Sequence, residues 1–205
     1  MERCLLGKAS ERKFRLFCVA CCRRIWHLLK DDRSKKLVEV LEQFADRETD
    51  QAAVRKAVSE ALSAKAVSGT LAARTAIVAA RDSCMVAVRG WWETALGAGR
   101  AVKAHGGKQK WAAEMQAQAA LIRDLSGPML FRRVIFLPRW LSWHDRLIVS
   151  MARQMYDSRD FADMPILADA LEEAGCTDQD ILAHCRSGGE HVRGCWVVDL
   201  VLGKE

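Results

Sequence analysis

Four side chains near the end of the chain offer the donor atoms of a zinc site. His184, Cys185, His191 and Cys195 supply two imidazoles and two thiols, and Gly188–Gly189 allows a turn between them. A metal site is disfavoured because adjacent helical residues such as His184 and Cys185 point about 100° apart. The spacing is also not that of a standard zinc finger. The favoured interpretation is a hydrogen-bonded histidine network without a cofactor, and a zinc site is the alternative.

A second group of thiols lies in the N-terminal segment RLFCVACCRRIWHLL. At about 100° per residue, Cys18, Cys21 and Cys22 share one helical arc with Phe14 and Ile25. This C-x-x-C-C pattern lacks the turn that wraps zinc, and the sequence contains no second C-x-x-C. We therefore predict that the three thiols are reduced and buried, packing as small hydrophobic side chains.

Arginines and tryptophans in two segments are typical of nucleic-acid contacts, because aromatics stack on bases and arginines hold phosphates. These residues are Arg12, Arg23 and Arg24 of the first helix and Arg132, Arg133, Arg139, Trp140 and Trp143 of the segment 129–143. For 129–143 we favour a structural role, in which the aromatics pin the segment across helices. The basic N-terminal helix remains a candidate surface for a nucleic acid.

Charge is distributed unevenly along a chain whose net charge is +6. Residues 8–36 contain ten Lys and Arg against three Asp and Glu, whereas residues 156–205 contain four against eleven. Either the two ends face each other, within one chain or between two chains, or the N-terminal helix is an exposed basic surface. No apolar run approaches the roughly 20 residues that span a bilayer. No signal-peptide core precedes Lys8, so we expect a cytoplasmic protein without a membrane partner.

The helical pattern extends over nearly the whole sequence. The first predicted helix runs from its N-cap Ser10 to Lys30, and later helices are predicted to begin at the caps Ser34 and Thr177 and at Trp143 or Asp145. Between residues 51 and 120 there are 21 alanines and no proline, which favours long, closely packed helices. We predict an all-α multi-helix bundle: a helical body over 1–128, a short extended aromatic and basic connector over 129–143, and a small helical unit over 144–205. These parts are expected to form one domain, with the C-terminal unit packed on the body.

The C-terminal segment Met164–Leu202 is predicted to be a folded cap on the helical body. Pro165 suits the first turn of a helix and Gly175 suits its end. Trp196 is the expected apolar anchor of the unit. Asp199 lies in the apolar run from Cys195 to Leu202, where a carboxylate needs a partner.

No nucleophile elbow, HExxH motif, phosphate loop or dinucleotide fingerprint is present. We therefore expect a non-catalytic helical interaction or scaffold module, whose partner is another protein or a second copy of the chain. The alternatives are a nucleic-acid-binding protein that uses the two Arg-containing segments, and a zinc-supported structural module.

The chain also resembles a known family in the segments RLFCVACCRRIW and PILADALEEAGC, with HCR and HVRGCWVVDLVLGKE following. It is similar to an uncharacterised bacterial family that is abundant in planctomycete genomes, and the likeness covers nearly the whole chain. The W-L-x-W pattern at Trp140–Trp143 matches that family's connector. The segment ILADALEEAGC resembles a small helical repeat-companion motif. The resemblance implies no activity.

Overall fold

A computed structural model describes residues 9–63, 71, 74–75, 78, 91–130 and 134–204. Over these residues the protein is all-α, as predicted, with nine helices and no strand. The helices are α1 (Glu11–Arg24), α2 (Asp32–Ala45), α3 (Gln51–Ser63), α4 (Trp91–Ser126), α5 (Pro138–Ser142), α6 (Leu147–Ser158), α7 (Met164–Glu173), α8 (Gln179–Arg186) and α9 (Trp196–Leu202). None of the helices described is both long and apolar enough to cross a membrane.

The chain divides into two compact units, unit 1 over 1–119 and unit 2 over 120–205. This division differs from the predicted boundaries after residues 128 and 143, because the last turn of α4 and the connector belong to unit 2. The end of α4 belongs to unit 2 because the carboxylate of Asp124 contacts His184 and His191 there.

Helices α1, α2 and α3 form a packed group in unit 1, in which α2 contacts both of its neighbours. Ser10 caps α1, as predicted, and its hydroxyl accepts a hydrogen bond from the backbone N–H of Lys13. The helix ends at Arg24 rather than at the predicted Lys30, since Ile25 leaves the helical conformation and a 3-10 turn follows over Trp26–Leu28.

Two helix caps differ from the residues that the sequence suggested. Asp31, not Ser34, caps α2, and Ser34 lies buried inside that helix. Asp178, not Thr177, caps α8. In both helices the aspartate accepts a hydrogen bond from the backbone N–H two residues later.

Helix α4 is a helical hairpin, because Gly107 interrupts it with a φ of 74° and a ψ of −168°. Its first arm is 91–106 and its second arm is 108–126. The arms run antiparallel, since the side-chain amide of Gln118 donates to the backbone oxygen of Ala95 at 3.0 Å. A Cβ at Gly99 would lie 2.5 Å from the Met115 side chain, so glycine permits this close approach.

Unit 2 is built around one apolar core to which α5 to α9 all contribute. Helix α6 packs on α7 and α9, and α7 packs on α8. The start of α6 is later than predicted. His144, Asp145 and Arg146 all have positive φ, so the chain makes a left-handed turn before the helix begins at Leu147.

Candidate metal centre

Three elements of unit 2 bring four potential metal ligands together. Asp124 lies in the last turn of α4, His184 lies in the last turn of α8, and Cys195 is the N-cap residue that precedes α9. His191 comes from the loop between α8 and α9. Gly194 has a φ of 92°, so a glycine is suited to the turn that places Cys195 beside His191.

The donor atoms of these residues surround one small volume and all lie within 4.8 Å of one another. Asp124 Oδ1 lies 2.6 Å from His191 Nδ1 and 3.2 Å from His184 Nε2. Cys195 Sγ lies 3.2 Å from His184 Nε2 and 3.9 Å from His191 Nδ1. In a tetrahedral zinc site, bonds of about 2.0–2.3 Å separate neighbouring ligand atoms by roughly 3.3–3.8 Å. The cluster therefore has nearly the dimensions of a zinc site.

The same geometry differs from that of a nucleophilic triad. In a triad, one nitrogen of the histidine faces the nucleophile and the other nitrogen faces the carboxylate. Here a single nitrogen of His184, Nε2, is close to both the thiol of Cys195 and the carboxylate of Asp124. Likewise, Nδ1 of His191 is close to both the Asp124 carboxylate and the Cys195 thiol. One nitrogen of each imidazole therefore faces the same point, as the ligands of a metal ion do.

The cluster is shielded from water. The side chains of Asp124 and His191 are 4% and 5% exposed, that of His184 is 16% exposed, and Cys195 is fully buried. The Nε2 atom of His191 has no hydrogen-bond partner, so the polar contacts of that ring are all made by Nδ1 inside the cluster. The polar atoms of these buried side chains are therefore hydrogen-bonded mainly to other members of the cluster.

The pKa values of Asp124 and Cys195, the two acidic groups of the cluster, are shifted in opposite directions. Burial by itself would raise the pKa of Asp124, but hydrogen bonds from His184 and His191 outweigh it and lower the pKa. Burial, together with the negative charge of Asp124, raises the pKa of the Cys195 thiol well above its usual value. The backbone amides of Val198 and Val197 partly oppose this rise. A cation at the centre of the cluster would favour the thiolate.

Neighbouring groups hold the ligands in place. The backbone N–H of Val192 donates to Asp124 Oδ2 at 3.0 Å, which leaves Oδ1 directed toward the histidines. The Trp196 ring lies 5.2 Å from the His184 ring, centroid to centroid, and covers one side of it. Such surrounding contacts orient ligands in metal sites.

The structure changes one member of the ligand set that the sequence suggested. His184, His191 and Cys195 come together, but Asp124 takes the place of Cys185 in the cluster. Cys185 points into the core of unit 2, where burial raises its pKa to about 12. The cause is the angle between adjacent helical residues, which lets only His184 face the cluster. Asp124 could have been noticed as a carboxylate on the apolar stripe with the buried Leu121 and Leu125.

The N-terminal arginines have carboxylate partners within unit 1. Arg12 pairs with Asp46, Arg23 pairs with Glu42, and Arg24 pairs with Glu114, with closest N–O distances of 2.9, 2.9 and 3.0 Å. Asp46, Glu42 and Glu114 are at most 5% exposed at their side chains, so these are structural ion pairs. The basic character of α1 is therefore largely neutralised within its own unit.

The predicted aromatic and basic connector is only partly described, because Arg132 and Arg133 lie outside the described residues. Trp140 is 3% exposed, belongs to the core of unit 2 and stacks edge-on against Phe136. It is therefore not available to stack on a base. Trp143 is half-buried against His144, and Arg139 is exposed.

The residues predicted to be structural are buried. Cys18, Cys21 and Cys22 are at most 2% exposed, as predicted, and the six cysteines in the described ranges form no disulfide. Trp196 is 1% exposed and is among the largest fully buried side chains of the described chain. Asp199 is also 1% exposed, on α9.

The fold and the cluster define the class of this protein as an all-α protein with a buried Asp-His-His-Cys centre. The chain matches no protein-family model, no curated protein and no solved structure. The family resemblance of the N-terminal and C-terminal segments therefore stays a prediction.

Proposed function

We propose that this protein is a non-catalytic helical scaffold whose C-terminal unit is supported by one zinc ion. Asp124, His184, His191 and Cys195 would be the ligands. The observation that carries the proposal is the convergence of one carboxylate oxygen, two imidazole nitrogens and one thiol sulfur on a single buried volume. A cytoplasmic location, where thiols stay reduced, is part of the proposal.

Zinc is the metal that best suits this donor set. Imidazole and thiolate ligands favour zinc over magnesium, calcium and manganese, which prefer oxygen donors. Copper also binds two imidazoles and one thiolate, in electron-transfer sites whose further ligand is a weak, distant axial group such as methionine. Here the fourth donor is the carboxylate of Asp124, at the same short range as the other three, which favours zinc.

A structural role follows from the number of protein ligands. Catalytic zinc sites generally have three protein ligands and leave the fourth position to water, whereas structural sites are closed by four. This cluster supplies four ligands and joins the end of α4 to the segment 184–195. A bound ion would therefore cross-link parts of unit 2 that are distant along the chain.

The test is metal analysis of the full-length protein after refolding with zinc and extensive desalting. We expect about one zinc per chain, and refolding with Co²⁺ should give the visible absorption bands of a tetrahedral site with a thiolate ligand. His191→Asn and Cys195→Ser should each abolish the stoichiometric metal.

Cys185→Ser is the matched control, because Cys185 is a buried thiol next in sequence to His184 but outside the cluster. It should retain one zinc per chain even if it lowers stability. Absence of zinc and cobalt from the refolded wild-type protein would contradict the proposal. Loss of metal from Cys185→Ser, with metal retained by Asp124→Asn, would instead point to the ligand set first suggested by the sequence.

A further inference from the structure

The tip of the α4 hairpin has a concentration of positive charge that no residue of the described ranges neutralises. Between Thr94 and Ala113 there are four Lys and Arg and no Asp or Glu. We name Arg100, Lys103, Lys108 and Lys110 the basic tip, and all four are exposed. Within the described residues none of them forms an ion pair, and Lys103 lies over the ring of Trp111 at 6.0 Å.

This tip differs from the other basic segment of unit 1. In α1, Arg12, Arg23 and Arg24 are held by buried carboxylates. Ion pairs with buried carboxylates leave little charge for a ligand, and removing one partner of such a pair is costly. Four exposed cations of unit 1 that form no ion pair within the described residues lie instead near a helical turn, where the two arms of α4 reverse direction at Gly107.

A cavity of about 400 Å³ lies in unit 1 and shares Arg100 with the basic tip. Its lining combines the Trp92 ring with the aliphatic side chains of Leu71, Val78 and Leu96. Trp92 is 40% exposed, so part of its surface is accessible to a ligand. The volume falls within the range of about 300–1,000 Å³ that small-molecule sites occupy.

The floor of this cavity depends on a close contact. A Cβ at Gly97 would lie 2.7 Å from the hydroxyl oxygen of Thr75, which is buried and donates to the backbone oxygen of Leu71. Arg74 and Arg100 are the cations of the lining, and Glu93 is its carboxylate. The lining thus combines apolar and aromatic side chains with two cations, one of which, Arg100, belongs to the basic tip.

We propose that the basic tip and this cavity together bind single-stranded nucleic acid. The phosphates would lie along Arg100, Lys103, Lys108 and Lys110, and one base would enter the cavity against Trp92. This combination of a cationic track and an aromatic platform is how proteins hold single strands. The inference concerns unit 1 and is independent of the zinc ion proposed for unit 2.

A single strand fits these features better than a duplex does. A base can enter the cavity only if it is unpaired and unstacked, whereas the bases of a duplex lie inside the double helix. Glu93 can accept a hydrogen bond from an N–H group of an unpaired base, such as N3–H of thymine, but it would repel a phosphate. An anionic membrane is a poorer fit, because residues 103–110 include no large apolar side chain that could insert. The neighbouring Trp111 is 38% exposed, and Lys103 Nζ lies 6.0 Å from its ring centroid.

Fluorescence anisotropy with the full-length protein and a labelled 12-nucleotide thymidine strand tests the proposal. With four phosphate contacts, the logarithm of the association constant should fall with the logarithm of salt concentration with a slope of about −3. Affinity should therefore decrease about 50-fold between 50 and 200 mM salt. A 12-base-pair duplex should bind more weakly than the single strand.

Lys108→Glu with Lys110→Glu tests the tip, and Arg55→Glu with Lys56→Glu is the matched control. Both pairs are exposed, both lie in unit 1, and both substitutions change the net charge by the same amount. The tip variant should lose at least about tenfold in affinity and about half of the salt slope. The control should stay within about threefold of the wild type.

The cavity is tested separately with Trp92→Ala and with an abasic strand of the same length. Loss of stacking should weaken binding of the thymidine strand by about 5- to 100-fold and leave the abasic strand nearly unaffected. Equal losses in the tip and control variants would overturn the proposal, as would tighter binding of the duplex. Binding to phosphatidylserine vesicles with no binding to the strand at 50 mM salt would also overturn it.

Discussion

The ring of Trp196 packs directly against the backbone of Gly127. A Cβ on Gly127 would lie 2.5 Å from ring atoms of Trp196, and Gly127 has a φ of 50°, where other residues are strained. Trp196 follows the candidate ligand Cys195, and Gly127 is three residues after Asp124. This contact therefore ties together two of the chain segments that carry the metal centre.

Replacing Gly127 with alanine should destabilise the protein by about 2–4 kcal/mol, because it adds backbone strain and forces the Trp196 ring to move. Gly188→Ala is the matched control, since Gly188 lacks a positive φ and a Cβ there would meet nothing within 4 Å. Urea denaturation followed by circular dichroism gives both values. Similar stability of the two variants would show that the Trp196 contact does not constrain residue 127.

Truncating Trp196 to alanine should cost about 3–5 kcal/mol, because it empties a large volume in the core of unit 2. Ile166→Ala, on α7 of the same unit, removes an apolar side chain that is 57% exposed and should cost less than about 1 kcal/mol. Thermal unfolding of the two variants compares them directly. The prediction fails if Trp196→Ala melts within a few degrees of Ile166→Ala.

The ion pair between Arg24 and Glu114 should be important for the stability of unit 1. Arg24 contacts both carboxylate oxygens of Glu114, which is 4% exposed and also accepts a hydrogen bond from Gln118. Glu114→Gln leaves Arg24 without its charge partner and should cost about 3 kcal/mol. The control is Glu11→Gln, which breaks an exposed pair with Arg15 and should change stability by less than about 1 kcal/mol. Equal effects in denaturant titrations would contradict a structural role for the buried pair.

The thiols of α1 should react very slowly in the native protein. Burial raises the pKa of Cys21 and Cys22 well above the usual value, so both stay protonated at neutral and mildly alkaline pH, and reagents cannot reach them. Labelling with iodoacetamide at pH 8, followed by peptide mass spectrometry, should modify Cys18, Cys21 and Cys22 only after urea is added. Labelling of all three within minutes under native conditions would refute this.

Cys21→Ser should cost about 1–3 kcal/mol by placing a hydroxyl in the core.

Zinc should stabilise the protein by mass action if the proposed centre is correct. At a free zinc concentration 1,000 times the Kd, the free energy of unfolding should rise by about 4 kcal/mol. Asp124→Asn keeps the size of the side chain but removes the negative ligand, and it should lose most of this increment. An unchanged melting temperature of the wild-type protein, refolded with either zinc or a chelator, would argue against the metal centre.

Local features of the chain were readable from the sequence. Helical periodicity predicted that Cys18, Cys21 and Cys22 are buried, and the cap at Ser10 and the start of α7 near Pro165 follow from backbone chemistry within a few residues. Helix caps were harder to predict where two candidate residues lie close together in the sequence. Asp31 and Ser34 both suit the start of α2, and only the final backbone geometry selects Asp31.

The sequence by itself determined an all-α chain, the apolar faces of its helices and three of the four clustered donors, because those features depend on nearby residues. Tertiary structure decided the rest. It brought Asp124 to His191 across 67 positions and Arg24 to Glu114 across 90. Periodicity shows which face of a helix is buried, but not which distant segment covers it. The fourth donor, and the neutralisation of α1 by carboxylates of its own unit, therefore emerged only from the folded chain.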